Sequence, residues 1–335
     1  MEQTVARRPA PRSRARTAYR TRLGRLFVGP AEDVLPSPAL DPWRGRVQLV
    51  FTSPPFPLRR KKEYGNRTGD DYADWLAGFA RHLTSLLTPD GSIVLEVGNG
   101  WNPGTPTVST AGIRALLAFQ EAGGLHLCQE FVCFNPARLP TPAEWVTIRR
   151  SRVKDAFTRV WWLAPSPHPK ADNRRVLTEY SPSMRRLLKR GTFNSGRRPS
   201  QHQISDRSFL SDNGGAIPPN VLVPGEDETA PPDPFTVLPI PNTASRDPYH
   251  RACRERGVPR HPAVMPEALV RFFVEFLTDA GDVVLDPFAG SNTTGAVAER
   301  LGREWVGIEA DPGYAEASRV RFEPADGAEA EAPAA

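Results

Sequence analysis

The stretch VVLDPFAGSNTTG, Val283–Gly295, decides the fold. Its first residues read as a short buried strand, DPFAG as a tight turn, and SNTTGAVAERLG (291–302) as a helix capped by Ser291. Gly290 lets the backbone approach a ligand closely, and the first amides of the helix favour an anionic group. Asp286 ends the strand, where its carboxylate can hold a cationic amine. The next strand, EWVGIEAD (304–311), carries Glu309, 23 residues after Asp286, where an acid accepts ribose hydroxyls. G-x-G-x-x-G is absent, and a Pro-Phe turn leaves little room for a pyrophosphate. A ligand with an amine, a carboxylate and a ribose but no phosphate fits better, and S-adenosylmethionine is such a ligand.

The same alternation of strand and helix extends upstream. VQLVF (47–51) and SIVLEV (92–97) are short apolar runs of the buried-strand kind. Between them DDYADWLAGFARHLTSLL (70–87) repeats apolar residues at helical spacing, and TPDG (88–91) reads as a turn. STAGIRALLAFQEAGG (109–124) is a helix closed by glycines; LHLCQEFVCF (125–134) and FTRVWWLA (157–164) are strands. MPEALVRFFVEFLTDAGD (265–282) is a helix with Pro at its start and Gly beyond its end. The pattern predicts an α/β fold with a largely parallel, Rossmann-like sheet and helices on both faces. Order is expected to begin near Leu23.

Composition bounds the rest. At 335 residues the chain can bury a core without disulfides, and its three cysteines form neither a disulfide framework nor a CxxC zinc pair. No apolar run is long enough to span a bilayer, and the basic N-terminus lacks the apolar region of a secretory signal; a reducing cytoplasm is the expected compartment. The net charge of +5 hides an asymmetry. Residues 1–25 hold eight Arg and one Glu, and residues 141–210 hold fifteen Lys or Arg against five Asp or Glu. The remainder is net −12. A basic arm and a basic middle segment are the footprint of a nucleic-acid binder. Prolines 218, 219, 224, 231, 232, 234, 239 and 241 make residues 216–243 an extended connector.

TSPPF (52–56) follows the strand at 47–51. Pro54 and Pro55 fix the chain and remove two backbone donors, leaving a row of acceptors: the Ser53 hydroxyl and the carbonyls of Ser53 and Pro54. Such a row suits an amine that must donate two hydrogen bonds. An exocyclic amine on a base is a poor nucleophile because its lone pair is delocalised into the ring. Acceptors holding its hydrogens favour a pyramidal nitrogen, and Phe56 offers a face on which an extruded base can stack. Glu96, at the end of the strand beside the catalytic one, is a candidate proton relay.

TSPPF with DPFAGSNTTG and GIE resembles the DNA amino-methyltransferases of the β arrangement, in which the catalytic motif precedes the cofactor motif. Ser-Pro-Pro-Phe is similar to their N4-cytosine branch. FNPARLPTPAEWV, RVKDAF, DNGGAIPPN and HPAVMPE extend the likeness, over roughly 45–320, to the PvuII-type modification methyltransferases. Glu96 stands where that pattern has Asp. The resemblance implies a methyl donor, S-adenosylmethionine, and no metal. It implies double-stranded DNA as substrate, a restriction-modification or epigenetic role, and a cognate restriction endonuclease as a possible partner. It assigns Ser53, Pro54, Pro55 and Phe56 to the target amine and base. Asp286, Pro287, Phe288, Gly290, Ser291, Thr293 and Thr294 would cradle the methionine part and Glu309 the ribose, with His261 beside them. Lys62 and Tyr64 would close over the site.

The implied organisation is an Arg-rich flexible arm (1–22), a catalytic half (23–139), a target-recognition region (140–215), the connector (216–248), a cofactor half (249–322) and an acidic tail (323–335). Residues 157–164 are expected to return to the core sheet. DNA contacts are expected from Arg59, Lys61 and Lys62, from Arg149, Arg150 and Lys154, from Arg174 and Arg175, and from Arg185, Arg186, Lys189, Arg197, Arg198 and Gln201. Most should touch phosphate rather than bases. None of the cysteines follows a proline in a catalytic loop, which excludes C5-cytosine chemistry. N6-adenine methylation is the alternative reaction, and a non-catalytic DNA-binding regulator is the alternative of another class. The DNA sequence recognised and the oligomeric state are not legible.

Overall fold

The computed structural model describes residues 15–56, 70–135, 138–193, 196–197, 199, 203–205, 209–222 and 248–323. In chain order the elements begin with Arg16–Arg20 (β1), Gly24–Val28 (β2), Ala31–Val34 (α1), Val47–Thr52 (β3), Asp70–Leu86 (α2) and Leu87–Gly98 (β4). Ala111–Gly123 (α3), His126–Phe134 (β5), Phe157–Ala164 (β6), Pro182–Arg190 (α4), Gly196–Arg197 (β7), Gln203–Ile204 (β8) and Val221–Leu222 (β9) follow. Pro248–Glu255 (α5), Glu267–Leu277 (α6), Val283–Asp286 (β10), Thr293–Arg300 (α7), Glu304–Glu309 (β11) and Pro312–Ala317 (α8) complete the described chain.

Nine strands form one sheet, in the order β1-β2-β11-β10-β3-β4-β6-β5-β9, and β7 pairs with β8 apart from it. The centre, from β2 to β4, is parallel; β1 and the β4–β6–β5 run pair antiparallel. Every residue of β3 is buried, as expected of a strand covered on both faces. Its side chains alternate between two cores. Val47 and Val50 join α2 and α3 on one face, and Leu49 and Phe51 join α6 and α7 on the other.

Strands β3 and β10 are neighbours although more than 230 residues separate them. The helix after β3, α2, packs on one face; the helix after β10, α7, packs on the other. The direction of winding therefore reverses between these two strands. In an open α/β sheet the crevice beyond such a reversal is where ligands bind.

Four expectations are corrected. Order begins before Leu23: β1 lies within the expected arm, and its Tyr19 is buried against Trp305 and Phe322. TPDG is not a turn between elements but a bulge inside β4. Val47 pairs with Leu87 and Leu49 with Ser92, so Thr88–Gly91 bows out opposite one residue, Gln48. The buried Gln48 amide donates to the Asp90 carbonyl and accepts from the Thr88 hydroxyl. The cap of α7 is Asn292, not Ser291. Asn292 adopts a left-handed φ of 53°, and its side chain accepts from the Gly295 amide. Finally, the Pro-rich connector starts later than residue 216. Ala216 bridges to Thr178, and β9 adds to the sheet edge beside β5. The rest of the connector and the acidic tail beyond Glu323 lie outside the described residues.

Candidate active site

The turn after β10 is held from below by Asp286. This buried carboxylate accepts from Thr52 Oγ1 (2.6 Å) and the Phe288 amide (3.0 Å) through Oδ1, and from Thr294 Oγ1 (2.7 Å) through Oδ2. Three donors leave one lone pair on Oδ2 with capacity for a cationic amine. Burial pushes the Asp286 carboxyl above its usual range, against the pull of those hydrogen bonds. Thr52 immediately precedes Ser53, so this bond ties the two motifs together at the ends of adjacent strands.

At the next strand end, Glu309 Oε2 accepts from the Gly290 amide and Oε1 from the Asp311 amide, each at 2.8 Å. Burial also pushes this carboxyl up. Each oxygen keeps acceptor capacity for a hydroxyl pair. Gly290 has φ of +53°, and a Cβ there would stand 3.1 Å from His261 Cε1. The turn thus passes directly under the imidazole, a close approach that only glycine permits. The His261 ring also packs edge-on to Tyr314, its amide donates to Tyr249 Oη, and burial lowers its pKa. Phe288 packs against Trp75 and Phe79 of α2. The Ser291 and Thr293 hydroxyls lie 3.1 Å apart, and Arg321 Nε donates to the Ser291 carbonyl at 2.8 Å.

On the catalytic side, Ser53 and Pro55 are part-exposed and Pro54 is buried. Phe56 lies on Gly98, where a Cβ would fall 2.4 Å from the ring. Glu96 accepts from the Ser53 hydroxyl and, at 2.9 Å, from Thr158 Oγ1. Burial drives the Glu96 carboxyl up, opposed by these bonds and by the charge of Arg138. The structure therefore brings Ser53, Phe56, Glu96, Asp286, Phe288, Gly290 and Glu309 to the carboxyl edge of β3, β4, β10 and β11. Sequence reading missed Thr52, Gly98, Thr158, Asn292 and Arg321. Thr52 and Asn292 lie inside motifs already singled out, Asn292 as the local cap of α7; Gly98, Thr158 and Arg321 act through long-range contacts that carry no local signature.

The expected DNA contacts divide. Arg149, Arg150 and Lys154 are exposed on the segment joining β5 to β6, on the same sheet edge as Gly98 and Phe56. Arg149 pairs with Glu144 at 2.7 Å. Arg174 and Arg175 stand elsewhere. Their segment lies at the opposite edge, where neighbouring Lys170 pairs with Asp282, just before β10. Asp172 grips Arg174 through two bonds, and Arg175 pairs with Asp279 and the Thr278 carbonyl. Arg175 ties the β6–α4 segment to the end of α6, whereas Arg174 is held by Asp172 of its own segment. Arg185, Arg186 and Lys189 lie on α4, which buries none of its residues. Arg197 falls in β7, but its side chain, with Arg59, Lys61, Lys62, Tyr64, Arg198 and Gln201, lies outside the described residues.

A DNA methylase family profile matches residues 47–320. Type II methyltransferase M.PvuII of Proteus hauseri is 40% identical over 307 residues, covering 91% of this chain and 85% of that protein. The structure of PvuII DNA methyltransferase (cytosine-N4-specific) superposes with a TM-score of 0.70 at 34% identity, over 93% of this chain and 91% of that one. The structure of the Thermus thermophilus protein TTHA0409 shares the fold with a TM-score of 0.51 at 21% identity, over 89% and 93% of the two chains. With its catalytic and cofactor motifs side by side at the reversal of the sheet, the chain belongs to the DNA methylase family of N6- and N4-amino-methyltransferases.

Proposed function

We propose that the protein methylates the exocyclic N4 amine of a cytosine extruded from double-stranded DNA, with S-adenosylmethionine as donor. The observation that carries this reading is the Thr52–Asp286 bond, set one residue from Ser53, whose hydroxyl faces Glu96. It supports an amine-binding group and a cofactor-binding carboxylate built into one crevice. The donor fits the residues present. Asp286 has capacity for its amine and Glu309 for its ribose hydroxyls, and the Gly290 amide holds the Glu309 carboxylate at the mouth of the turn. When bound, it supplies an electrophilic methyl group on a sulfonium.

The chain's own residues act on the amine. The Ser53 hydroxyl and the Pro54 carbonyl accept its two hydrogens and turn the nitrogen lone pair toward the methyl. Phe56 stacks the base. A donor held by Asp286 and Glu309 would give up its methyl to this lone pair, the C–S electron pair remaining on sulfur. The nitrogen, now cationic, gives its surplus proton to Ser53, which passes its own to Glu96. A base need not act before attack, because the proton leaves after transfer. Arg149, Arg150 and Lys154 at the same edge contact phosphate, and a cognate restriction endonuclease is the matching partner.

Nucleosides from DNA methylated by the protein should contain N4-methylcytosine by mass spectrometry. N6-methyladenine alone would replace the base assigned here. Ser53→Ala should abolish methylation while DNA binding persists; a variant that still methylates at the wild-type rate would remove Ser53 from the reaction.

A further inference from the structure

Three adjacent strands and the catalytic loop set side chains in one row. Thr158 of β6 pairs with Cys133 of β5 on one side and with Gly98 of β4 on the other. Glu96, two residues before Gly98, is the diagonal neighbour of Thr158 on the same face. Thr158 Oγ1 donates to Glu96 Oε1 at 2.9 Å, and the Ser53 hydroxyl meets the same carboxylate. Cys133 lies behind, against the Thr158 hydroxyl. Burial and the Glu96 charge push its thiol up to about 12. The single hydroxyl hydrogen of Thr158 goes to Glu96.

A glutamate has one more rotatable bond than the aspartate of the family pattern, and a carboxylate on a longer stem loses more freedom when it is held. Only a second anchor keeps it turned to Ser53. We propose that Thr158 is a positioning residue for methyl transfer, its hydroxyl holding the Glu96 carboxylate against Ser53 as a proton acceptor. The inference rests on the relay reading of Glu96 above. The groups facing Glu96 are Ser53 from the loop after β3, Thr158 from β6 and Arg138 from the segment after β5, with Cys133 of β5 behind Thr158. Burial favours the protonated form of Glu96 and all three facing groups oppose it. Losing the Thr158 donor leaves burial less opposed, so Glu96 keeps its proton to higher pH.

The test uses the full chain, unmethylated plasmid DNA and S-adenosylmethionine with a labelled methyl. Thr158→Val keeps the shape and loses the donor; Thr158→Ser keeps the donor. With the valine, kcat should fall about tenfold, the loss expected for a hydrogen bond to a charged group. KM for both substrates should hold, and the acid limb of the kcat–pH profile should move to higher pH. Serine should restore rate and profile. In a Glu96→Gln background, the valine should cost nothing further, because the carboxylate it positions is gone. A valine variant with wild-type kcat and profile overturns the proposal. A serine variant as slow as the valine, or losses that multiply in the Glu96→Gln background, would mark a role of shape alone and overturn it too. If Glu96→Gln itself turns over normally, the relay reading falls and this inference with it. If Glu96→Gln is slow while Thr158→Val is normal, only the inference falls.

Discussion

A methyl group on Gly290 would stand 3.1 Å from the His261 ring, on a backbone with φ of +53°. Two costs combine there. A side chain in the left-handed region costs roughly 1–2 kcal/mol, and the imidazole must yield its place against Tyr314. The Gly290 amide is also the donor that holds Glu309. Gly290→Ala should therefore lower thermal stability by an amount consistent with about 1–2 kcal/mol and weaken S-adenosylmethionine binding, read by calorimetry. Unchanged affinity would mean that the turn does not approach the donor. The role of glycine at this position was legible in the sequence, because a tight turn between strand and helix demands it. The role of Gly98 was not: it clears space for Phe56, which is 42 residues away.

At the scale of elements, charge composition and charge placement separate. The middle segment is basic throughout, yet the sheet splits it between two edges. Arg150 sits at the carboxyl edge beside the catalytic loop. Arg175 sits at the amino edge, paired with Asp279 and bonded to the Thr278 carbonyl that ends α6. Arg175→Ala should lower stability by about 1 kcal/mol, the scale of a part-buried ion pair with a hydrogen bond, and leave DNA affinity at the wild-type value. Arg150→Ala should do the reverse, and titration of both variants with plasmid DNA at one salt concentration compares them. Equal losses of DNA affinity would contradict the placement. Strand β1 makes a related point. Its Tyr19 hydroxyl bonds Asn292, the cap of α7, and Ser318. A strand read as part of a disordered arm thus buttresses the cofactor turn, because one buried aromatic outweighs a polar, Arg-rich context.

Across the whole molecule, Glu96, Asp286 and Glu309 gather in one crevice, and burial raises all three carboxyls. Such a group keeps its proton to higher pH when folded than when unfolded. Its contribution to stability is present in acid, below the ordinary carboxylate range, and is lost as pH rises through the raised folded value. The protein without S-adenosylmethionine should therefore lose stability relative to its Asp286→Asn variant as pH rises above 3.8, where unfolded Asp ionises. Thermal melts of the two proteins across that range check this, and a gap that stays constant or moves the other way would contradict it. A cationic amine beside Asp286 removes the penalty, so the stabilisation conferred by S-adenosylmethionine should grow over the same window.

The strand–turn–helix motifs, the two chemistries written on their loops and the alternation that makes a doubly wound sheet are legible along the linear chain. Those features are local: periodicity, glycine in a tight turn, proline where donors are unwanted. Folding alone sets β3 and β10 side by side at the reversal of the sheet, with Thr52 bonded to Asp286. It alone puts Thr158 on Glu96, Asn292 under Tyr19, and Arg175 away from the crevice. Each of those joins residues far apart in the chain, and strand order and register, which no short stretch encodes, bring them together.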